Sequence, residues 1–273
     1  MLDVSLSAIS VLLGMGQWSY FINLCPHDYP LLPPDGIRRA LAQLPEGHLS
    51  FVSHANGAWH EDERWWAAER LSKLAVDNSL YMTHGSEVHT FSRNSTDSSA
   101  PEQQQQQPFR ELPTAFDVYR GDPWVILGRV FAEYLLLGSD GWARRALLYF
   151  ANTVNPIEHY FSTVLCNSEV FRHLVIRDSL RLVVRERPAP DSNETQVAAI
   201  EKSDLKTIAA RGQLFAVLPS SNFDGERSRD VLDNHLDLQQ QQPGKQGAAV
   251  QRMVDRRLRF VLANNASCDW VTR

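Results

Sequence analysis

No stretch of this 273-residue chain stays apolar over the ~20 residues that a bilayer crossing needs. Charge of one sign is not in excess either. Twenty-seven Lys and Arg stand against 32 Asp and Glu, a net charge of −5, which gives no electrostatic footprint for nucleic acid. The three cysteines, Cys25, Cys166 and Cys268, are too few for a disulfide framework and lack zinc-ligand spacing. No Asp-x-Asp pair is present to hold a metal on a diphosphate, and Glu61-Asp62-Glu63 reads as a solvated loop. The first fifteen residues lack the basic start and cleavage site of a signal peptide. There is no internal repeat.

What is present is the composition of a packed globular chain, 43% hydrophobic and 10% aromatic. Leu2, Leu6, Ile9 and Leu13 recur at helical spacing and predict a buried helix. Residues 18–24 form a short apolar run bounded by Cys25-Pro26-His27-Asp28-Tyr29-Pro30, a strand entering a loop. Asp35 is placed to cap a helix carrying Ile37, Ala40, Leu41 and Leu44. Further strands are predicted at 49–53, 124–127 and 180–184. Further helices are predicted through Phe131, Tyr134 and Leu135, over 142–150 and over 156–165. Strands alternating with helices predict an α/β layered domain.

Residues 92–108, ending in Gln103 to Gln107, and 239–248, with Gln239 to Gln242, read as disordered inserts or linkers. Such composition cannot offset its ordering entropy by burial. The organisation predicted is therefore a domain over 1–238 and a linker and tail over 239–273. Val250, Met253, Val254, Leu258 and Val261 give the tail a short amphipathic helix. Asn94, Asn193 and Asn265 open N-glycosylation sequons, which permit a secretory location.

The segment Asn155-Pro156-Ile157-Glu158 carries N-cap, N1 and N3 residue types. One reading is a capping box in which Glu158 reaches back to the Asn155 N–H. The other is a carboxylate presented at a helix end to a cleft. Asp28 is similarly open between a turn residue before Tyr29-Pro30 and a ligand group at the carboxyl edge of an α/β sheet. His84 and His89 flank Glu87 without convincing zinc spacing.

Three blocks carry a resemblance. Trp18-Ser19-Tyr20-Phe21-Ile22-Asn23-Leu24, continuing to Asp28-Tyr29-Pro30-Leu31, resembles the W-x-(W/Y)-F-I-N-L-x-x-x-D-Y-P-L segment of the core-2/I-branching glycosyltransferases, glycosyltransferase family 14. Leu112-Pro113-Thr114-Ala115-Phe116 and Gly121-Asp122-Pro123-Trp124-Val125-Ile126-Leu127-Gly128-Arg129 are similar to the family's LP-x-AF and G-S-A-W-x-x-L-S-R. Glu158-His159-Tyr160-Phe161-Ser162-Thr163-Val164-Leu165-Cys166-Asn167-Ser168 is similar to its E-G-Y-F-x-T-V-I-C-N-S. The blocks occur in family order, and the resemblance covers roughly residues 2–238. It is closest to the plant and green-lineage branch, whose members include glucuronosyltransferase-like enzymes.

The resemblance implies a GT-A-type domain that transfers a sugar, with inversion, from a UDP-sugar to a glycan or glycoprotein hydroxyl in the Golgi lumen. It makes Glu158 the catalytic base. It favours a site role for Asp28 and puts Trp59, His60, Arg64, Trp65 and Trp66 on acceptor-side loops. Trp124 would line the cleft or pack beneath it. Family members hold a membrane anchor and the front of the nucleotide-binding half upstream of the segment matching residues 2–13, so the chain reads as opening inside the domain, as a truncated or degenerate copy. Animal members of the family work without metal through basic residues in an F-A-(R/N)-K-F-like segment, and the resemblance implies metal-independent transfer here. Here that segment is Phe215-Ala216-Val217-Leu218-Pro219. The basic positions have become Val217 and Leu218, which leaves Arg185, Lys206 and Arg211 as candidate substitutes and a non-catalytic, glycan- or partner-binding relative as the alternative.

Overall fold

The computed structural model describes residues 1–44, 47–54, 73–75, 80–84, 87–91, 109–111, 113–153, 155–184, 197–205 and 212–240, with 252, 255, 256 and 268 of the tail. The predicted 92–108 insert and the sequons at Asn94, Asn193 and Asn265 lie outside the described residues. The architecture is mixed α/β.

The chain opens with helix α1, Leu2–Gly14, whose Leu2, Leu6 and Ile9 turn inward as the spacing requires. The Trp18 indole N–H then donates to the Leu12 carbonyl at 2.9 Å, closing the last turn. Strands β1 (Tyr20–Ile22), β3 (Ser50–His54), β8 (Gly121–Gly128) and β9 (Val175–Ile176) form the principal sheet in the order β1-β8-β3-β9. β8 is antiparallel to β1 and to β3, and β3 is parallel to β9.

The pleat of β8 explains why Trp124 to Leu127 is continuously apolar. Val125 and Leu127 enter one core, with α1 and with helices α3 (Arg129–Leu137), α4 (Trp142–Phe150) and α5 (Ile157–Cys166). Ile126 enters a second core on the opposite face, with Phe51 and with helix α2 (Pro34–Ala42). Both faces are covered, so alternation disappears. Gly128 ends the strand where the chain passes against another backbone. A Cβ there would stand 2.4 Å from the Gly47 carbonyl oxygen, which only glycine avoids.

A second sheet joins β2 (Asp28–Pro30), β11 (Phe215–Val217) and β10 (Arg181–Leu182), with β11 at its centre. It covers a third, smaller core of Leu31, Leu182, Ile200, Ala216, Leu218 and Leu232, the last from helix α6 (Asn222–Gln240). Two antiparallel pairs complete the description, β4 (Lys73–Ala75) with β7 (Phe109–Glu111) and β5 (Leu80–His84) with β6 (Glu87–Phe91).

Several expectations are corrected here. Asp35 does not cap α2. Pro33 holds the cap position with no side-chain bond, and Asp35 pairs at the surface with Arg38 at 3.5 Å. Asp28 and Tyr29 belong to a strand and not to a loop. The strand predicted over 180–184 shrinks to Arg181–Leu182, because Leu180 turns left-handed at φ 54°. Gln239 and Gln240, read as the start of a linker, are the last residues of α6, and residues 241–251 lie outside the described residues. In the tail Arg252, Asp255 and Arg256 are helical. Cys166 and Cys268, which spacing left unpaired, form a disulfide across 102 residues of sequence. It ties the tail to the C-terminal end of α5.

Candidate active site

Helix α5 is the best-ordered reading of the sequence and the centre of the site. Its Tyr160, Phe161, Val164 and Leu165 are fully buried in the principal core. The helix therefore has no freedom to rotate, and side chains at its start are held in fixed directions. The predicted capping box does not form. Pro156 occupies the cap position with no side-chain cap bond, and Asn155 is left-handed at φ 53°, a conformation that Asn tolerates. The Glu158 N–H itself donates to the Asn155 carbonyl at 3.0 Å, closing the turn through the backbone.

The Glu158 side chain is thereby released from any capping role, and it points to Arg120. Arg120 Nε donates to Glu158 Oε2 at 3.0 Å, and its Nη2 lies 2.8 Å from the same oxygen. Glu158 is 20% exposed and Arg120 33% exposed. The pair is thus partly exposed to solvent and not part of the core. Neither residue is adjacent in sequence to the other, and nothing about Arg120 on its own singles it out.

His159, the next residue, is buried. Its ring stacks on Phe150 at 5.8 Å with planes 13° apart. Burial, helped by the neighbouring Arg120 charge and opposed by a hydrogen bond to the Tyr119 backbone, pulls its pKa from 6.5 down to about 4. The unfolded chain then binds the proton more tightly than the folded one. Stability is complete above about pH 6.5 and falls as acid takes the pH through the window from 6.5 towards 4. The loss is on the order of 3 kcal/mol. His159→Phe, which keeps a ring against Phe150, should flatten that part of the profile. Urea unfolding at pH 7 and pH 4.5 for both proteins checks it, and an equal pH dependence in the two would refute the assignment.

Asp28, expected at a cleft edge, is not open to a ligand. Its side chain is 0% exposed, and that of Arg181 is 2% exposed. Asp28 Oδ2 accepts from Arg181 Nε at 3.0 Å and from the Cys25 N–H at 2.8 Å. Arg181 also donates to the Asn23 carbonyl at 2.6 Å and the Ser179 carbonyl at 3.1 Å, and its guanidinium lies 5.5 Å above the Phe215 ring. Asn23 extends the network to β8, accepting from the Val125 N–H at 2.6 Å and donating to the Pro123 carbonyl at 2.7 Å. This buried hub joins the two sheets, so the reading of Asp28 as a substrate-binding group is corrected to a structural one.

Trp124 is half-buried on β8, four residues beyond Arg120. Trp59 and Arg64, with His60, Trp65 and Trp66, lie outside the described residues, as do Arg185, Lys206 and Arg211. Val217, at a position where basic residues were expected, is the register partner of Asp28, and Leu218 is buried. A charge is absent from both, and the adjacent cation is Arg181, already committed to Asp28.

A partly exposed carboxylate at the start of a core-anchored helix has the chemistry to accept a proton from a bound hydroxyl. Residues 1–209 match the family described as Core-2/I-Branching enzyme, and the chain belongs to that family. The chain is 31% identical to beta-glucuronosyltransferase GlcAT14A of Arabidopsis thaliana over 185 residues, which is 67% of this chain and 37% of that protein. It is likewise 31% identical to beta-glucuronosyltransferase GlcAT14B of the same plant over 186 residues, 67% of this chain and 38% of that one. With xylosyltransferase 1 of Rattus norvegicus it shares 25% identity over 171 residues, 62% of this chain and 17% of the relative. The chain thus spans well under half the length of these curated relatives.

Proposed function

We propose that this chain is an inverting glycosyltransferase with a GT-A-type fold. It moves a sugar from a UDP-sugar to a glycan or glycoprotein hydroxyl, and Glu158 is the general base. The observation that carries the reading is the Glu158 carboxylate itself. It stands at the start of a core-anchored helix, partly exposed, with Oε2 held by Arg120. Inverting transfer is an in-line displacement at the anomeric carbon, so the attacking hydroxyl must lose its proton to a base within hydrogen-bond reach. UDP departs without needing a second carboxylic acid, unlike the leaving group of an inverting hydrolase. The relatives' names support glucuronate or xylose as the transferred sugar.

The proposal places this chemistry in the Golgi lumen, on a membrane-anchored protein, without a metal and without a nucleic-acid partner. The disulfide between Cys166 and Cys268 supports an oxidising compartment. Among the described residues no helix is long and apolar enough to cross a membrane. The test is UDP release by the purified chain from UDP-glucuronate and UDP-xylose with a panel of oligosaccharide and glycoprotein acceptors, and the anomeric configuration of the product by NMR. Expected is an inverted, β-linked product from UDP-glucuronate, formed equally in EDTA. A retained configuration, or activity abolished by EDTA and restored by manganese, would overturn the proposal.

A second reading, a non-catalytic relative that binds a glycan or a partner enzyme, draws on the apolar Val217 and Leu218. Developing diphosphate charge needs cationic or dipolar stabilisation, and those two positions supply none. Glycan binding without UDP release in the same assay would favour it.

A further inference from the structure

Arg120 owes its place to α5. Residues 117–120 run up to β8 alongside the helix, and side chains on one helix face stitch them down. Asn167 Oδ1 accepts from the Asp117 N–H at 3.0 Å, and Asn167 Nδ2 donates to the Asp117 carbonyl at 2.7 Å. Thr163 Oγ1 accepts from the Tyr119 N–H at 3.0 Å and donates to the Tyr119 carbonyl at 3.3 Å. Asn167 and Thr163 are four residues apart on the helix and so share a face. Asp117 and Tyr119 are two apart on an extended chain and present their backbone groups to one side. The helix therefore acts on this segment as a neighbouring strand would, with side chains in place of backbone partners. Arg120 is the next residue out, and Glu158 lies on the same helix, about one and a half turns before Thr163.

We propose that Arg120 is the positioning residue for the Glu158 carboxylate, and that Thr163 and Asn167 set its reach. The inference rests on the reading of Glu158 as base. The terminal torsion of a glutamate is broad and roughly two-fold, so a partly exposed carboxylate does not by itself offer a chosen oxygen. Two donors of one rigid guanidinium converge on Oε2 and fix that torsion. Oε1 is left without a protein partner among the described residues, and it is the oxygen presented to an acceptor hydroxyl. A lysine could supply the charge at this position but not the planar two-donor geometry.

The experiment uses the whole chain and compares wild type, Arg120→Ala, Arg120→Lys and Glu158→Gln. It reads kcat and donor KM by UDP release from UDP-glucuronate with the best acceptor of the panel above, together with melting temperature. Loss of orientation should lower kcat of Arg120→Ala by up to about 10²-fold, with donor KM and melting temperature close to wild type. Arg120→Lys should recover part of the loss. Guanidinium ion at non-denaturing, millimolar concentration should restore part of the activity of Arg120→Ala and none of that of Glu158→Gln. Wild-type kcat in Arg120→Ala, with Glu158→Gln inactive, would overturn this inference alone. So would a loss confined to KM, which would make Arg120 a donor-binding group. Wild-type turnover in Glu158→Gln, or no turnover by the wild-type chain, would overturn the reading of the base and this inference with it.

Discussion

Replacing Glu158 by Gln should lower turnover by roughly 10²–10⁴-fold, the range typical for loss of a general base, while leaving the fold intact. The amide is nearly isosteric, and its carbonyl oxygen still accepts from Arg120 Nε and Nη2, but it cannot take a proton from the acceptor. The cost to stability is that of weakening a partly exposed ion pair, at most about 1 kcal/mol, or a few degrees of melting temperature. No capping bond is lost, since Glu158 makes none. If the residue served only to hold Arg120 on the surface, both quantities would change little. Turnover and melting temperature measured side by side separate the cases, and retained turnover in the Gln protein would remove the catalytic assignment.

Replacing Arg181 by Met should be the most damaging single change to stability at the hub between the sheets, costing about 3–5 kcal/mol. The substitution leaves the Asp28 carboxylate enclosed at 0% exposure with its countercharge gone, and deprives the Asn23 and Ser179 carbonyls of their donors. Asp28 Oδ1 is already without a partner among the described residues, so no spare hydrogen bond from them offsets the loss. Adding Asp28→Asn to Arg181→Met should recover part of the cost, because the stranded charge is then removed. Urea unfolding midpoints for the three proteins test this. An Arg181→Met protein as stable as wild type would return Asp28 and Arg181 to the list of groups free for a ligand.

These two expectations mark the limits of what could be read from the sequence. α1, α3, α4 and α5 fall where apolar periodicity puts them, because a helix is decided by residues three and four apart. β8 is legible as a continuous apolar run, and Glu158 by its block. The small sheet is not. Strands of two and three residues carry too little pattern, and β2, β10 and β11 exist only through pairing with distant segments, β2 with β11 across nearly 190 positions. Asp28 was misread for the same reason. Its partner is 153 residues away, so a residue before Tyr29-Pro30 looks like a turn. Arg120 was missed because its partner is 38 residues distant. One signal could have pointed to it. Thr163 and the C-cap residue Asn167 are polar residues four apart on one face of α5, and a buried hydroxyl such as that of Thr163 requires partners.

By itself the sequence determined the class of fold, the helix that carries the carboxylate and the carboxylate itself, since all of these are written in local spacing and in the third block. Only the tertiary structure decided that Glu158 pairs with Arg120 instead of capping its helix, that Asp28 is sealed against Arg181, and that Cys166 meets Cys268. The physical reason is common to all three. Ion pairs, hydrogen bonds and disulfides act over a few ångströms of space, and which residues come within that range is set by packing of distant segments against a shared core.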